Sequence, residues 1–507
     1  MQHHDNLKRI VIKNASANLL RLVGAGIVAL LLPPFLVRML PRDVYGAWAL
    51  LLQLTLYVGY LDFGIQTAVA RFVAHTTELG DFEQRDGIVS TALIMLSGAA
   101  ILGVLLTIVL VLRLPEIFSQ MPQGIFHPAK IALLLMGVSF AIGLPASVIQ
   151  ALFIGLQRNE IPAALAIANK LALALFTIAV VLKRAGLAAM GAAVALANLF
   201  SYLAAVIAWR AWGNKVRIRL ALVTRAYARQ IGGYSATLVI WMVSMLMVSG
   251  LDLSIVGIFD YHATAYYAVA ASLTTFLAQA QGALFAALLP ASAVLGARGD
   301  AHRLGTMLVS STRYGMLILL AMALPLLVAG HLIIRVWAGA DYAQHSTVIL
   351  QVLVVANVIR LCALPYSTLL LGTGQQSKVI ISPLAEGITN LVASVAGAYL
   401  LGAIGVAIGT LIGSFVSVGL HLFYNMPRTA LIYIDRRRLV NESLLRPALC
   451  AAPFVALLLL RSVSPDLRGE TQASLIAAAT LGAALLFWNY GLVGAERQKL
   501  AHALRQL

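Results

Sequence analysis

Apolar runs parted by short polar turns repeat along the chain at about 16–40, 44–70, 88–112, 129–156, 161–182 and 186–209. Six more follow near 231–258, 264–294, 308–336, 346–371, 379–400 and 402–425, and a last pair near 447–463 and 472–493. A helix needs roughly 20 apolar residues to cross a hydrocarbon core of about 30 Å, so the pattern predicts fourteen transmembrane helices. They fall into six, a basic linker, six, and a trailing pair. The organisation expected is a six-helix lobe over residues 1–210, a cytoplasmic basic linker over 211–230, and a second lobe over 231–426. Residues 427–507 supply a basic cytoplasmic loop and two extra transmembrane helices. The N-terminus, MQHHDNLKRIVIK, has the positive flank of a signal sequence, but Pro33 and Pro34 stand where a cleavage site would need small residues. An uncleaved first helix is expected.

The polar segments are short. The largest, at 71–85, 113–128, 210–229 and 428–446, could not bury a catalytic core of their own, so whatever the chain does it does inside the bilayer. Of the 36 Lys and Arg, 24 fall on one side of the expected membrane and nine on the other, and the positive-inside tendency then places both termini in the cytoplasm. Phe35–Leu54 aligns on Ser254–Leu273 as a span end, a polar turn, and an aromatic (Trp48 or Tyr267) opening the next span. A parallel repeat of this kind suits two bundles with a substrate site between them.

Composition agrees: 61% of residues are hydrophobic and 11% charged, against about 25% charged in a soluble domain. A net charge of +17 would suggest nucleic acid in a soluble protein, but the cations flank or enter apolar runs and no nucleic-acid motif is present. Anionic lipid and anionic cargo are the partners expected instead. Cys362 and Cys450 both lie in apolar runs and form neither a disulfide framework nor a metal cluster.

Six ionisable residues fall at membrane depth: Arg21, Asp62, Lys170, Asp252, Arg360 and Glu386. Each costs about 2.5–3.5 kcal/mol at the centre of a lipid-facing helix, so each must pair or face a wet cavity. Arg21, Lys170 and Arg360, drawn from both halves, are the candidates to bind a diphosphate, since several converging donors are needed and Arg can grip phosphate with two bonds. Arg21 could instead snorkel to the headgroups, and Arg360 could pair with Glu386. Asp62, Asp252 and Glu386 are candidates for coupling to H⁺ or Na⁺, the alternatives being ion pairs or caps at broken helices. His421 could relay protons or be structural. No cofactor and no metal is expected. Pro145, Pro290, Pro325, Pro365 and Pro383 mark sites where helices kink. The basic stretches Lys215 to Arg229 and Arg436–Arg438 are read as amphipathic helices on anionic lipid, or as solvated loops.

The residues LPRDVYGAWALLLQLTLYVGYLDFGIQTAVARFVA resemble the opening of bacterial polysaccharide flippases, of the lipid-linked oligosaccharide or O-antigen type. That group belongs to the multidrug/oligosaccharidyl-lipid/polysaccharide exporter superfamily. Tyr45, Gly46, Trp48, Leu61, Asp62, Gly64 and Arg71 carry the likeness, joined by Gly155, Gln157 and Arg158, by Asp252, Tyr267 and Pro290, and by Trp337, Gly339 and Tyr342. The resemblance covers roughly residues 10–430. It implies an all-α membrane protein of about 14 transmembrane helices, with two six-helix bundles in a pseudo-two-fold V plus two C-terminal helices. It also implies a monomeric flippase of the bacterial inner membrane, carrying an undecaprenyl-diphosphate-linked oligosaccharide by alternating access and working alongside polysaccharide polymerase machinery. A cation-coupled multidrug antiporter of the same fold is the alternative. A glycan polymerase or ligase is more remote, since the chain has no D-x-D or E-x-D; with no nucleotide-binding phosphate loop, a primary pump is unsupported.

Overall fold

The computed structural model describes residues 26, 28–212, 216–429, 431–432, 434–463 and 469–491, so Arg21 lies outside the described residues. Every regular element among them is helical, and the chain is an all-α membrane protein. Ten of the described helices are long and apolar enough to span a bilayer, and they fall on the predicted runs. A bent pair, with arms Arg225–Ala236 and Leu238–Gly250 meeting at 44°, makes an eleventh only when the two arms are counted as one span. The chain divides into two compact units, Met1–Ser272 with Ser394–Val406, and Leu273–Ala393 with Ala407–Leu507.

Unit 1 begins with α1 (Val28–Met39), α2 (Arg42–Gly59) and α3 (Ile65–Glu78). It continues through α4 (Phe82–Ile117), α5 (Gln123–Gly155), α6 (Glu160–Leu182) and α7 (Gly186–Ala211). Next come α8 (Arg225–Met245) and α9 (Asp252–Phe259), and then α10 (Thr264–Phe285), whose later part belongs to unit 2. Helix α4 starts where Asp81 accepts a hydrogen bond from the Gln84 amide at 2.9 Å, satisfying one of the orphan amides of a first turn. Beyond Ile88 it is apolar on all sides. One face, with Ile88, Leu96 and Ala99, is buried, while Ile101, Leu105 and Leu112 are exposed, as suits a helix whose solvent is lipid. Around α4 and α5 packs a core of Val69, Val73, Ile88, Leu96, Val148 and Leu152.

The basic linker departs from expectation. Residues 216–219 form an extended strap, a short 3₁₀ turn follows at Leu220–Leu222, and helix resumes only at Arg225. The strap holds its shape because its amides are taken by α4: Arg217 N–H donates to Asp86 Oδ2 at 3.0 Å and Arg219 N–H to Ser90 Oγ at 3.1 Å. An amphipathic helix would have used those amides internally.

Unit 1 also holds part of the second half of the chain. Arg42 Nη1 donates to Tyr266 Oη at 2.9 Å, and Tyr261 Oη donates to the Asp43 carbonyl at 2.9 Å. Gln120 donates to the Phe259 carbonyl and accepts from the Tyr261 amide, both at 3.1 Å.

Unit 2 continues with α11 (Leu288–Ala297), α12 (Ala301–Val328), α13 (Gly330–Trp337), α14 (Ala340–Leu361) and α15 (Leu364–Gly372). Then come α16 (Ile381–Leu401) and α17 (Ala403–Leu420), whose ends within Ser394–Val406 belong to unit 1. Short helices α18 (Met426–Arg428), α19 (Arg436–Leu439) and α20 (Arg446–Leu449) lead to the trailing α21 (Ala452–Val463) and α22 (Gly469–Leu486). Its core gathers Leu304, Leu308, Tyr366, Leu369, Ile432 and Leu439. Pro365 opens α15 just past the break after α14, and Pro325 lies inside α12.

Small residues let helices approach where lipid gives no hydrophobic drive. A Cβ on Gly191 would stand 2.5 Å from the Cα and 3.0 Å from the carbonyl oxygen of Ala132, so α7 touches the backbone of α5 there. Gly191→Ala is therefore expected to destabilise the protein by about 1–3 kcal/mol through overpacking, read as a lower thermal unfolding midpoint in detergent. Gly98→Ala, whose Cβ would meet nothing within 4 Å, should leave the midpoint unchanged or raise it slightly.

Candidate functional site

In unit 1, α8 ends in a π turn at Leu246–Gly250, and the chain restarts as α9 with Asp252 in its first turn. Widening and breaking a helix frees carbonyls that must be satisfied at membrane depth. The Gly250 carbonyl accepts from Tyr57 Oη at 2.8 Å and from Gln53 Nε2. Tyr57 Oη and Ser254 Oγ lie 2.6 Å apart, and Tyr267 Oη donates to Asp252 Oδ2 at 3.2 Å. Gln53 and Tyr57 sit on one face of α2, four residues apart. The result is a buried carboxylate beside hydroxyls and an unwound carbonyl, an all-oxygen set of the kind that accepts a proton or a small cation at a broken helix.

In unit 2, Arg360 on α14, Glu386 on α16 and Ser417 on α17 converge. Arg360 Nε lies 3.3 Å from Glu386 Oε1, and Ser417 Oγ donates to Glu386 Oε2 at 2.7 Å. Nearby in sequence, the His421–Asn425 π turn builds a second polar group. Asn425 Nδ2 and His421 Nδ1 are 2.8 Å apart, Ser382 Oγ donates to Asn425 Oδ1 at 2.5 Å, and the Tyr366 ring meets His421 edge-on at 5.5 Å. His421 thus serves a packed hydrogen-bond network.

The remaining expected residues stand apart. Asp62 occupies the turn between α2 and α3, half-buried, and its Oδ1 accepts from the Gln66 amide at 3.2 Å. It caps α3 at a broken helix. Lys170 is exposed on α6 and has no ion pair among the described residues. Its neighbour Asn169 donates to the Ala197 carbonyl at 3.1 Å and reaches Asn198, which donates to Ser139 Oγ at 3.1 Å. One of the three expected cations is thus engaged by a carboxylate, one has no ion pair among the described residues, and Arg21 falls outside them.

Three groups were missed in the sequence. Gln53 and Tyr57 are neutral and carry no charge signal. Arg313, counted there among the inner flanking cations, is buried within α12 over the ring of Tyr314 at 5.0 Å. Its position inside the run at 308–336 could have exposed it. Arg85 and Asp86 form a buried ion pair at 2.8 Å just before the run at 88–112.

No family model matches the chain, and no curated protein matches it. Solved structures do. The chain is similar to the lipid II flippase MurJ in an inward closed conformation, with a TM-score of 0.66 and 13% identity over 94% of this chain and 98% of that one. It is similar also to an inward-facing multidrug resistance MATE family transporter of the MOP superfamily, at 0.60 and 17% over 80% and 98%. The Vibrio cholerae MATE transporter VcmN in its bent form gives 0.56 and 12% over 85% and 99%. The chain has the fold of the MOP-superfamily transporters. It is a multi-pass membrane protein.

Losing one member of a buried ion pair costs more than losing both. Arg360→Met would leave Glu386, its side chain 7% exposed, without this cation, whereas Glu386→Gln keeps a hydrogen-bond acceptor for Ser417. Since the Arg360 side chain is 25% exposed, solvent screening trims the cost to about 1–3 kcal/mol. Thermal unfolding in detergent should rank Arg360→Met as the less stable single variant, with the double variant recovering part of the loss.

Proposed function

We propose that this protein is a flippase for an undecaprenyl-diphosphate-linked oligosaccharide in the bacterial inner membrane, coupled to H⁺ or Na⁺. The observation that carries the reading is a groove of about 790 Å³ on the trailing segment of unit 2. Leu445, Leu449, Ala452 and Val455 give it an apolar wall, and Arg446 and Asn441 also line it. A long hydrocarbon tail needs such a wall, and a soluble drug does not. The fold match to the lipid II flippase takes in more of this chain than the matches to the multidrug transporters, which fits an extra pair of helices serving a lipid.

Under this reading Lys170 meets the diphosphate, and the Asp252 cluster takes up the coupling ion. Arg360 adjusts its pairing with Glu386 when anionic cargo is near, and no covalent chemistry is performed. Cargo release and ion release are then linked if both are favoured in the same state of the protein.

A second reading, a cation-coupled multidrug antiporter, is favoured by the buried acids Asp252 and Glu386 and by the likeness to the MATE transporters. Reconstitution separates the two. Vesicles holding the purified protein and a fluorescent undecaprenyl-diphosphate oligosaccharide should expose the label to an outside quencher at least about tenfold faster than empty vesicles, with an imposed ion gradient adding to the rate. Lys170→Ala should remove most of this rate with insertion unchanged, and Asp252→Asn should remove the gradient dependence. Dye efflux without lipid movement would establish the antiporter instead.

A further inference from the structure

The strap at 216–219 carries a site that the transport reading does not use. In extended chain, successive side chains point to opposite faces. Val216 and Ile218 therefore pack into the unit 1 core, and Arg217 and Arg219 project together on the outside. The backbone cannot slide: the Arg217, Arg219 and Thr224 amides donate to Asp86, Ser90 and Thr91 at 3.0, 3.1 and 3.4 Å. Between strap and helix lies a cavity of about 500 Å³, lined by Phe82, Glu83, Arg85, Arg217, Arg219 and Leu222, with Asp86 at its wall. The Arg85 charge is taken by Asp86, through Nε at 3.0 Å and Nη2 at 2.8 Å. Arg217 and Arg219 have no ion pair among the described residues.

We propose that this strap binds the phosphate headgroup of an anionic phospholipid. Three observations favour a lipid over a dissolved anion. First is depth: α4 has 36 residues, about 54 Å at 1.5 Å each, against a hydrocarbon core of about 30 Å. Its apolar run begins at Ile88, so Phe82 to Asp86 stand at the headgroup level. Second is the apolar surround: Phe82 lines the cavity at 53% exposure, and Leu79 and Leu220, near its lining residues in sequence, are 67% and 77% exposed, which water disfavours and an acyl boundary accepts. Third is charge: two guanidinium groups on a held backbone, with further cations at Arg225 and Arg229 on the exposed start of α8, match the phosphate of an anionic leaflet. Glu83 also lines the cavity and opposes an anion there, so the two guanidinium groups have to outweigh it.

Native mass spectrometry of the purified full-length protein tests this without any transport readout. Phosphatidylglycerol should add as one tight adduct and phosphatidylcholine should add at least tenfold more weakly. Arg217→Ala with Arg219→Ala should weaken the phosphatidylglycerol adduct at least tenfold and leave phosphatidylcholine alone. The paired Lys variants should keep it within about threefold, which separates lost charge from a damaged fold. Leu220→Ser should weaken phosphatidylglycerol and not inorganic phosphate. Phosphatidylglycerol binding that survives the double Ala change overturns the site. Inorganic phosphate or glycerol phosphate binding as tightly as phosphatidylglycerol overturns the lipid assignment.

Discussion

A polar group at membrane depth has no water to turn to, and the internal contacts of this protein follow from that constraint. The break that follows α8 is answered by side chains from another helix within hydrogen-bond reach. The Gly250 carbonyl, freed by the π turn, is met by Gln53 and Tyr57. Asp252 is met by Tyr267, Glu386 by Arg360 and Ser417, and Asn425 by Ser382 and His421. Asn169, Asn198 and Ser139 tie α5, α6 and α7 by the same rule. Apolar faces in lipid do not specify register, because lipid suits them as well as a neighbour does. These polar contacts, with backbone approaches such as Gly191 on Ala132, do.

That division explains what could be read from residues alone. The spans were legible because hydropathy is a local property, and ten described helices coincide with predicted runs. Asp252, Arg360 and Glu386 were legible as charges in apolar runs, and the Arg360 to Glu386 pairing was one of two alternatives. Their neutral partners were not. Nothing near Tyr57 points to a carbonyl at Gly250, because the contact joins positions 193 residues apart. The strap was partly legible. Basic composition left an amphipathic helix or a solvated loop open, whereas the order Val216, Arg217, Ile218, Arg219 alternates with period two, a strand signal.

The motifs behind the flippase resemblance turn out to serve geometry. A Cβ on Gly46 would stand 3.3 Å from the Ala265 amide nitrogen, so the Tyr-Gly-x-Trp segment marks the approach of α2 to α10. In Leu-Asp-x-Gly, Asp62 caps α3 and Gly64 takes a φ of 74° against Leu238, where a side chain would be both strained and crowded. In Gly-Leu-Gln-Arg, Gly155 lies against the Ala70 carbonyl, Gln157 turns with a φ of 60°, and Arg158 bonds Glu160 at 2.5 Å above the Trp212 ring. Such motifs report how a fold closes its turns. They speak to architecture, and cargo must be read from the charges and grooves.

The two kinds of contact differ in how reversibly they can be broken. Around α4 and α5, buried Val, Ile and Leu interlock, and opening that seam would expose every one of them. Where the second half of the chain enters unit 1, hydrogen bonds stand beside the buried Tyr261, Ala265 and Tyr266. Arg42 to Tyr266, Tyr261 to the Asp43 carbonyl, and Gln120 to Phe259 and Tyr261 are hydrogen bonds between groups that water can also satisfy. Each is worth about 0.5–1.5 kcal/mol net, so their sum is a few kcal/mol. Any movement of residues 259–266 away from α2 and the Gln120 turn has to exchange these bonds for water. It also has to uncover Tyr261, Ala265 and Tyr266, each no more than 6% exposed, so only a ligand that binds the moved state far more tightly would shift the balance.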